Sequence, residues 1–146
     1  MPPYAPVPDI GRAIQLAVAP VFLLSGVGVT LTVLTNRLSR IVDRARSLED
    51  LLLTADQARQ DELHRELATL SHRAALINRA LTLSTTCALL VCLVIALLFV
   101  AAVFVLDLSA VVALLFVIAM LSFIGALLSF LREIRLATAN LRIGPH

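Results

Sequence analysis

The chain has 146 residues, 60% of them hydrophobic, with twelve basic and ten acidic side chains and a net charge of +2; its mean hydropathy is +0.96. A soluble domain is about 45–50% apolar, so the composition excludes an ordinary water-soluble globule, and the length suggests one domain. The charges are segregated: residues 13–36, 80–106 and 108–131 carry none, and each stretch reaches the roughly 20 residues that cross about 30 Å of hydrocarbon. The expected fold class is all-α, an integral membrane protein with three transmembrane helices and a cytoplasmic antiparallel helical hairpin between the first and second.

Residues 1–8 contain Pro2, Pro3, Pro6 and Pro8 and are expected to be extended, with Asp9 as the cap of the first helix. Pro20 removes one backbone hydrogen bond inside that helix. Either the membrane helix is kinked there, or residues 9–19 lie in the interface and the span begins at Pro20. The apolar run is too long for a cleaved leader, Asp9 sits where a positive segment is needed, and Ala17-Val18-Ala19 is followed by Pro20, so the first span is read as retained.

The apolar pattern continues past the span. Leu31, Leu34, Leu38, Ile41, Ala45, Leu48 and Leu52 recur at spacings of three and four, a heptad seam leading out of the bilayer. No Pro or Gly interrupts the chain between Val29 and Leu53, so one helix is expected to run to about Leu53. A second seam returns through Leu63, Leu67, Leu70, Ala74, Ile77 and Leu81. Thr54 with Gln57 reads as the capping box of the returning helix. Residues 37–79 then form an antiparallel hairpin with arms about 25 Å long. Arg46 with Asp50 and Asp61 with Arg65 are spaced as helical ion pairs.

Cys87 and Cys92 lie in the second span, five apart and on different faces, which suits packing better than a disulfide. Asp107-Leu108-Ser109 separates the second and third spans, a tight turn with Asp107 or Ser109 capping the third helix. Residues 132–146 form a tail whose end, Ile143 to His146, is expected to fray.

Arginine placement sets the orientation. Eight of the twelve arginines fall in 37–79 and three after Leu131, leaving Arg12 alone on the other side. By the positive-inside rule the N-terminus is outside and the hairpin and C-terminus are cytoplasmic. All twelve basic residues are Arg, a usage suggesting a bacterial protein and hence the inner membrane.

Leu24-Ser25-Gly26, followed by the run from Asn36 to Leu48 with the pattern N-R-L-x-R-I-x-D-R-x-R-x-L, resembles an uncharacterised family of small bacterial three-helix inner-membrane proteins, a domain of unknown function. The resemblance spans roughly residues 10–135. It implies the same architecture and no assigned reaction.

Three sets of residues are candidates for function. Arg37, Arg40 and Arg44 fall on one helical stripe, with Arg79, Arg132 and Arg135 at similar depth. They set topology, and they are also candidates for binding anionic lipid headgroups, at about 1 kcal/mol each, or a protein partner. Asp43 stands three residues from Arg40 and from Arg46 and is expected to bind them and fix the register of the helix pair. Inside the membrane, Ser25, Gly28, Thr32, Asn36 and Ser39 make a small, polar stripe on the first helix, and Asn78 and Thr82 do so on the second. The stripe serves helix packing, or it lines the pore of an oligomer. His64 and His72, eight apart, cannot share a metal on one helix. With no nucleophile motif or phosphate loop, the chain is expected to be non-catalytic and homo-oligomeric, without cofactor or nucleic-acid partner.

Overall fold

The computed structural model describes the backbone of residues 6–141 and the side chains of residues 10–139. Three helices follow one another: α1 (Pro6–Leu52), α2 (Gln57–Phe104) and α3 (Ser109–Leu141). No described residue is in a strand. Each helix is long and apolar enough to cross a membrane. At 47, 48 and 33 residues, all three exceed the roughly 20 residues a bilayer core requires.

The chain divides into two compact units, one of residues 1–31 and 83–124, the other of residues 32–82 and 125–146. In the first, Val27, Cys87, Val91 and Ala119 are fully buried, ringed by partly buried residues including Leu23, Leu24, Ile95 and Phe123. Cys87 is buried, Cys92 is exposed, and both are free thiols. In the second unit the core is a seam. Leu34, Ile41 and Leu48 of α1 meet Leu63, Leu70 and Ile77 of α2, with Leu38, Ala45, Leu52, Leu67, Ala74 and Leu81 packed alongside. Buried positions step by seven on both arms, the spacing that keeps one helical stripe facing its partner. Every residue of the two expected seams packs here except Leu31, which joins the other core.

Local signals differ from expectation at four points. Pro6 and Pro8 belong to the first turn of α1, where a missing N–H costs nothing because first-turn amides have no intrahelical partner. Asp9 is therefore inside the helix and does not cap it; residues 1–5 lie outside the described part. The returning helix is capped by Asp56, whose Oδ1 accepts from the Arg59 amide at 3.4 Å, while the Thr54 hydroxyl turns back to the Leu51 carbonyl. Arg46–Asp50 and Asp61–Arg65 do not close as ion pairs among the described residues; the exposed pair that does is Arg44–Glu66, at 3.1 Å across the arms. Finally, α3 runs on to Leu141, so residues 132–141 are helix. Pro20 is tolerated within α1.

The turn between α2 and α3 uses both expected residues. Asp107 Oδ1 accepts from the Ser109 hydroxyl at 2.6 Å and from its amide at 3.3 Å. These two bonds, side chain first, hold the Asp107 carboxyl below its ordinary range. Before it, Val105 adopts φ 50°, and the Leu106 amide donates to the Ala101 carbonyl at 3.0 Å, the wrapped-back bond of a left-handed helix stop. Glycine normally occupies that position, since a left-handed conformation costs an L-residue about 1–2 kcal/mol. Val105 is 80% exposed, so its side chain returns little by burial. Val105→Gly is expected to stabilise the protein by about 1 kcal/mol, read as a raised midpoint in thermal unfolding in mild detergent; a lowered midpoint would show that the valine side chain is needed.

Candidate functional site

The packed face of α3 runs through Ala119, Ala126, Ser129 and Glu133, all buried and spaced at seven, three and four along one helical stripe. The stripe therefore ends on a carboxylate with no exposed surface. Removing a charge from water costs several kcal/mol unless partners replace the hydration shell. Two arginines do so. Arg37 of α1 donates from Nη1 to Glu133 Oε2, and Arg73 of α2 donates from Nε and Nη2 to Oε1 at 3.0 and 2.9 Å. The two N–H groups of one guanidinium thus converge on a single oxygen.

The arginines are only partly covered, with side chains 37% and 22% exposed. The Arg37 guanidinium also lies 5.2 Å from the centroid of the Phe130 ring, within cation–π range. The result is a buried Arg–Glu–Arg clasp with one ligand from each helix of the 32–82 and 125–146 unit. Both carboxylate oxygens accept from guanidinium groups, which ties the three helices of this unit together at one level.

The sequence did not single out Glu133, because its neighbours Arg132 and Arg135 read as tail charge. Continuing the α3 stripe by four from Ser129 would have placed it on the packed face.

The sequence-derived candidates separate in the structure. Arg37 is committed to Glu133, and Arg44 is exposed and bonded to Glu66, so the stripe of Arg37, Arg40 and Arg44 does not act as one set. Arg40 is exposed. Asp43 is exposed and forms no ion pair among the described residues; its backbone carbonyl accepts from Ser47 Oγ at 3.1 Å. Cross-arm ion pairing falls instead to Arg44–Glu66 and to the clasp. Arg79, Arg132 and Arg135 do come together, along one groove.

Ser25, Gly28, Thr32, Asn36, Asn78 and Thr82 are all exposed, and a Cβ added to Gly26 or Gly28 would meet nothing within 4 Å. The polar stripe is therefore not the packing surface within one chain. Within each unit that surface is apolar, built on Val27 and Cys87 in one and on Leu34, Ile77 and Ala80 in the other. The His64 ring bonds to the Gln60 carbonyl at 2.7 Å. Among the described residues, no three His, Cys, Asp or Glu side chains gather as a metal ion would require.

The family model described as a protein of unknown function, DUF2721, matches residues 17–143. The chain belongs to that family. The match takes in α1 from its fourth turn onward, all of α2 and α3, and hence every residue of the clasp. No curated protein matches the chain, and no solved structure does.

The clasp predicts a graded set of stabilities. Arg73→Ala leaves the buried carboxylate with Arg37 alone and is expected to cost about 3–5 kcal/mol. Arg44→Ala breaks an exposed pair and should cost less than about 1 kcal/mol. Chemical or thermal denaturation in mild detergent measures both; equal losses would mean that Glu133 is not buried as described.

Proposed function

We propose that the protein is a non-catalytic, homo-oligomeric module of a bacterial inner membrane, with its N-terminus outside and its 37–79 hairpin and C-terminus in the cytoplasm, where arginines bind anionic lipid headgroups or a protein partner. One observation carries this reading. At the ends of the uncharged spans, residues 37–40, 79 and 132–135 supply five arginines against one carboxylate, and that carboxylate is fully buried between Arg37 and Arg73. Arg40, Arg79, Arg132 and Arg135 stay exposed. This excess of positive charge at the polar–apolar boundary suits a cytoplasmic leaflet, whose anionic lipids attract adjacent arginines.

The exposed small, polar stripe of α1 supports oligomerisation. Small residues on a helix face let a neighbouring helix approach closely, and a second copy would supply that helix. A reporter fused after His146 tests the sidedness: fluorescence with no phosphatase activity is expected, and active phosphatase there would invert the topology. Gly28→Leu tests the assembly, because a side chain at Gly28 has open space in the single chain. The variant should fold normally and shift to monomer in native mass measurements; unchanged assembly would remove the stripe from the interface.

The same stripe favours a second reading, a homo-oligomeric ion channel lined by α1. Ser25, Thr32 and Asn36 would then face a central axis, since three helices are too few to enclose a pore alone. Thr32→Leu should leave the melting midpoint nearly unchanged and cut ion flux in liposomes, while Asn36→Asp shifts selectivity toward cations. Absence of any flux from folded oligomer removes this reading.

A further inference from the structure

Two helices of the 32–82 and 125–146 unit present matched faces to one groove of about 690 Å³. From α2 the groove takes His72, Ala75, Leu76 and Arg79. From α3 it takes Arg132, Arg135, Leu136 and Ala139. Both sets follow the same i, i+3, i+4, i+7 spacing, so each is one stripe of its helix. Three guanidinium groups and an imidazole line the groove, with no carboxylate among the described lining residues. The ion pairs found among the described residues lie elsewhere, at Glu133 and Glu66.

We propose that this groove is a binding site for the phosphate-bearing headgroup of an anionic phospholipid, gripped by Arg79, Arg132 and Arg135. The site rests on the reading of the protein as a lipid-binding membrane module and gives that reading a location. Three like charges brought together repel unless an anion bridges them, and guanidinium groups match phosphate oxygens with paired N–H donors. A phosphate group is therefore the complementary ligand.

The position of the groove favours lipid as the source of that phosphate. Arg79 immediately precedes the uncharged span 80–106, and Arg132 immediately follows 108–131. On the membrane reading both stand where phospholipid phosphates lie. The two helices run in opposite senses relative to their spans, so Arg135 on α3 and His72 on α2 lie one and two turns farther from the hydrocarbon. Leu76, Leu136 and Ala75 add apolar surface between the charges. A free phosphate ion would have no use for that surface, whereas a glycerol backbone would cover it. The volume falls within the roughly 300–1,000 Å³ of ligand pockets.

The test is native mass spectrometry of the full-length protein, released from nanodiscs containing phosphatidylglycerol and cardiolipin in a phosphatidylcholine background. Wild-type protein is expected to retain the anionic lipids selectively. The triple variant Arg79→Ala, Arg132→Ala, Arg135→Ala should bind them about a hundredfold more weakly, from about 1 kcal/mol per arginine. Its melting midpoint should stay near that of wild type, because all three side chains are exposed. The control Arg59→Ala with Arg65→Ala removes hairpin arginines away from the span ends and outside the groove and should leave retention unchanged.

If wild-type protein retains no anionic lipid, both the general reading and the site fail. If wild type binds and the triple variant binds equally, the general reading stands and this site is overturned. Displacement of the lipid by millimolar inorganic phosphate would identify a soluble-anion site and overturn the lipid assignment. Capture of an acidic peptide in place of lipid would do the same. Should the triple variant fail to fold, Arg135→Ala alone, with weaker retention at an unchanged midpoint, decides the question.

Discussion

A carboxylate with no exposed surface dictates much of this structure. The side chain of Glu133 is satisfied in its buried position because donors meet both of its oxygens, and the other two helices of this unit deliver them through Arg37 and Arg73. Arg37 and Arg73 must therefore stand at the same level on α1 and α2. The leucine-rich seam does not enforce that by itself, because Leu34, Ile41 and Leu48 are similar enough for the arms to slip by a heptad. A slip of seven residues would leave the apolar packing nearly intact but unpair an acid: one way Arg44 takes the place of Arg37 at Glu133 and Glu66 loses its partner, and the other way Thr30 replaces Arg37 and half of the buried carboxylate is stranded. The second cross-arm pair keeps the same phase: Arg44 lies seven residues after Arg37, and Glu66 seven before Arg73. Burial thus supplies the association of the arms and charge supplies their register, a division familiar from coiled coils with a polar seam position.

The clasp also decides which arginines remain available. By sequence alone, Arg37, Arg40 and Arg44 look equivalent, one helical stripe beside a membrane. In the folded chain Arg37 is held against Glu133 and the Phe130 ring, and Arg44 is held by Glu66. The arginines on the far side of the clasp, Arg79, Arg132 and Arg135, are left sharing a groove. An acid placed one helical step away, at position 132 or 136, would have pointed outward and neutralised that groove. Placing the acid on the packed face of α3 concentrates positive charge on the outer one.

Much of the fold was legible because it follows from periodicity and charge segregation, which a single sequence displays. The three apolar spans, the two seams and the tight turn at Asp107 could be read in this way. What escaped depended on phase across helices. Glu133 is invisible to composition, since its immediate neighbours are arginines, and only the buried stripe of α3 reveals it. The Thr54 capping box failed because Asp56, nearer the helix start, competes for the same role and is the stronger cap. Pro6 and Pro8 were read as breakers although the first turn of a helix accommodates them. The residues of the polar stripe of α1 are exposed, and sequence could not say whether they turned toward the other helices of the chain or away from them.

Its outward orientation changes what the stripe can mean. In water, exposed Ser25, Gly28, Thr32 and Asn36 would be an ordinary solvated surface. On the membrane reading the surrounding solvent is hydrocarbon, and small residues on such a face would let a neighbouring helix approach closely. The single chain buries Val27, Leu34, Ile77 and Val91, yet large apolar side chains such as Phe22, Val29, Leu89 and Leu121 cover its outside together with the stripe, while Ser84 and Ser129 are buried. A water-soluble protein would not leave so much apolar surface outside, and in a bilayer no driving force buries valine against valine in preference to lipid. The exposed stripe is the part of the surface for which lipid is the poorer neighbour. The case for assembly thus comes from the solvent the composition demands, and it is strongest where the lone chain has room at Gly26 and Gly28 for another helix to approach.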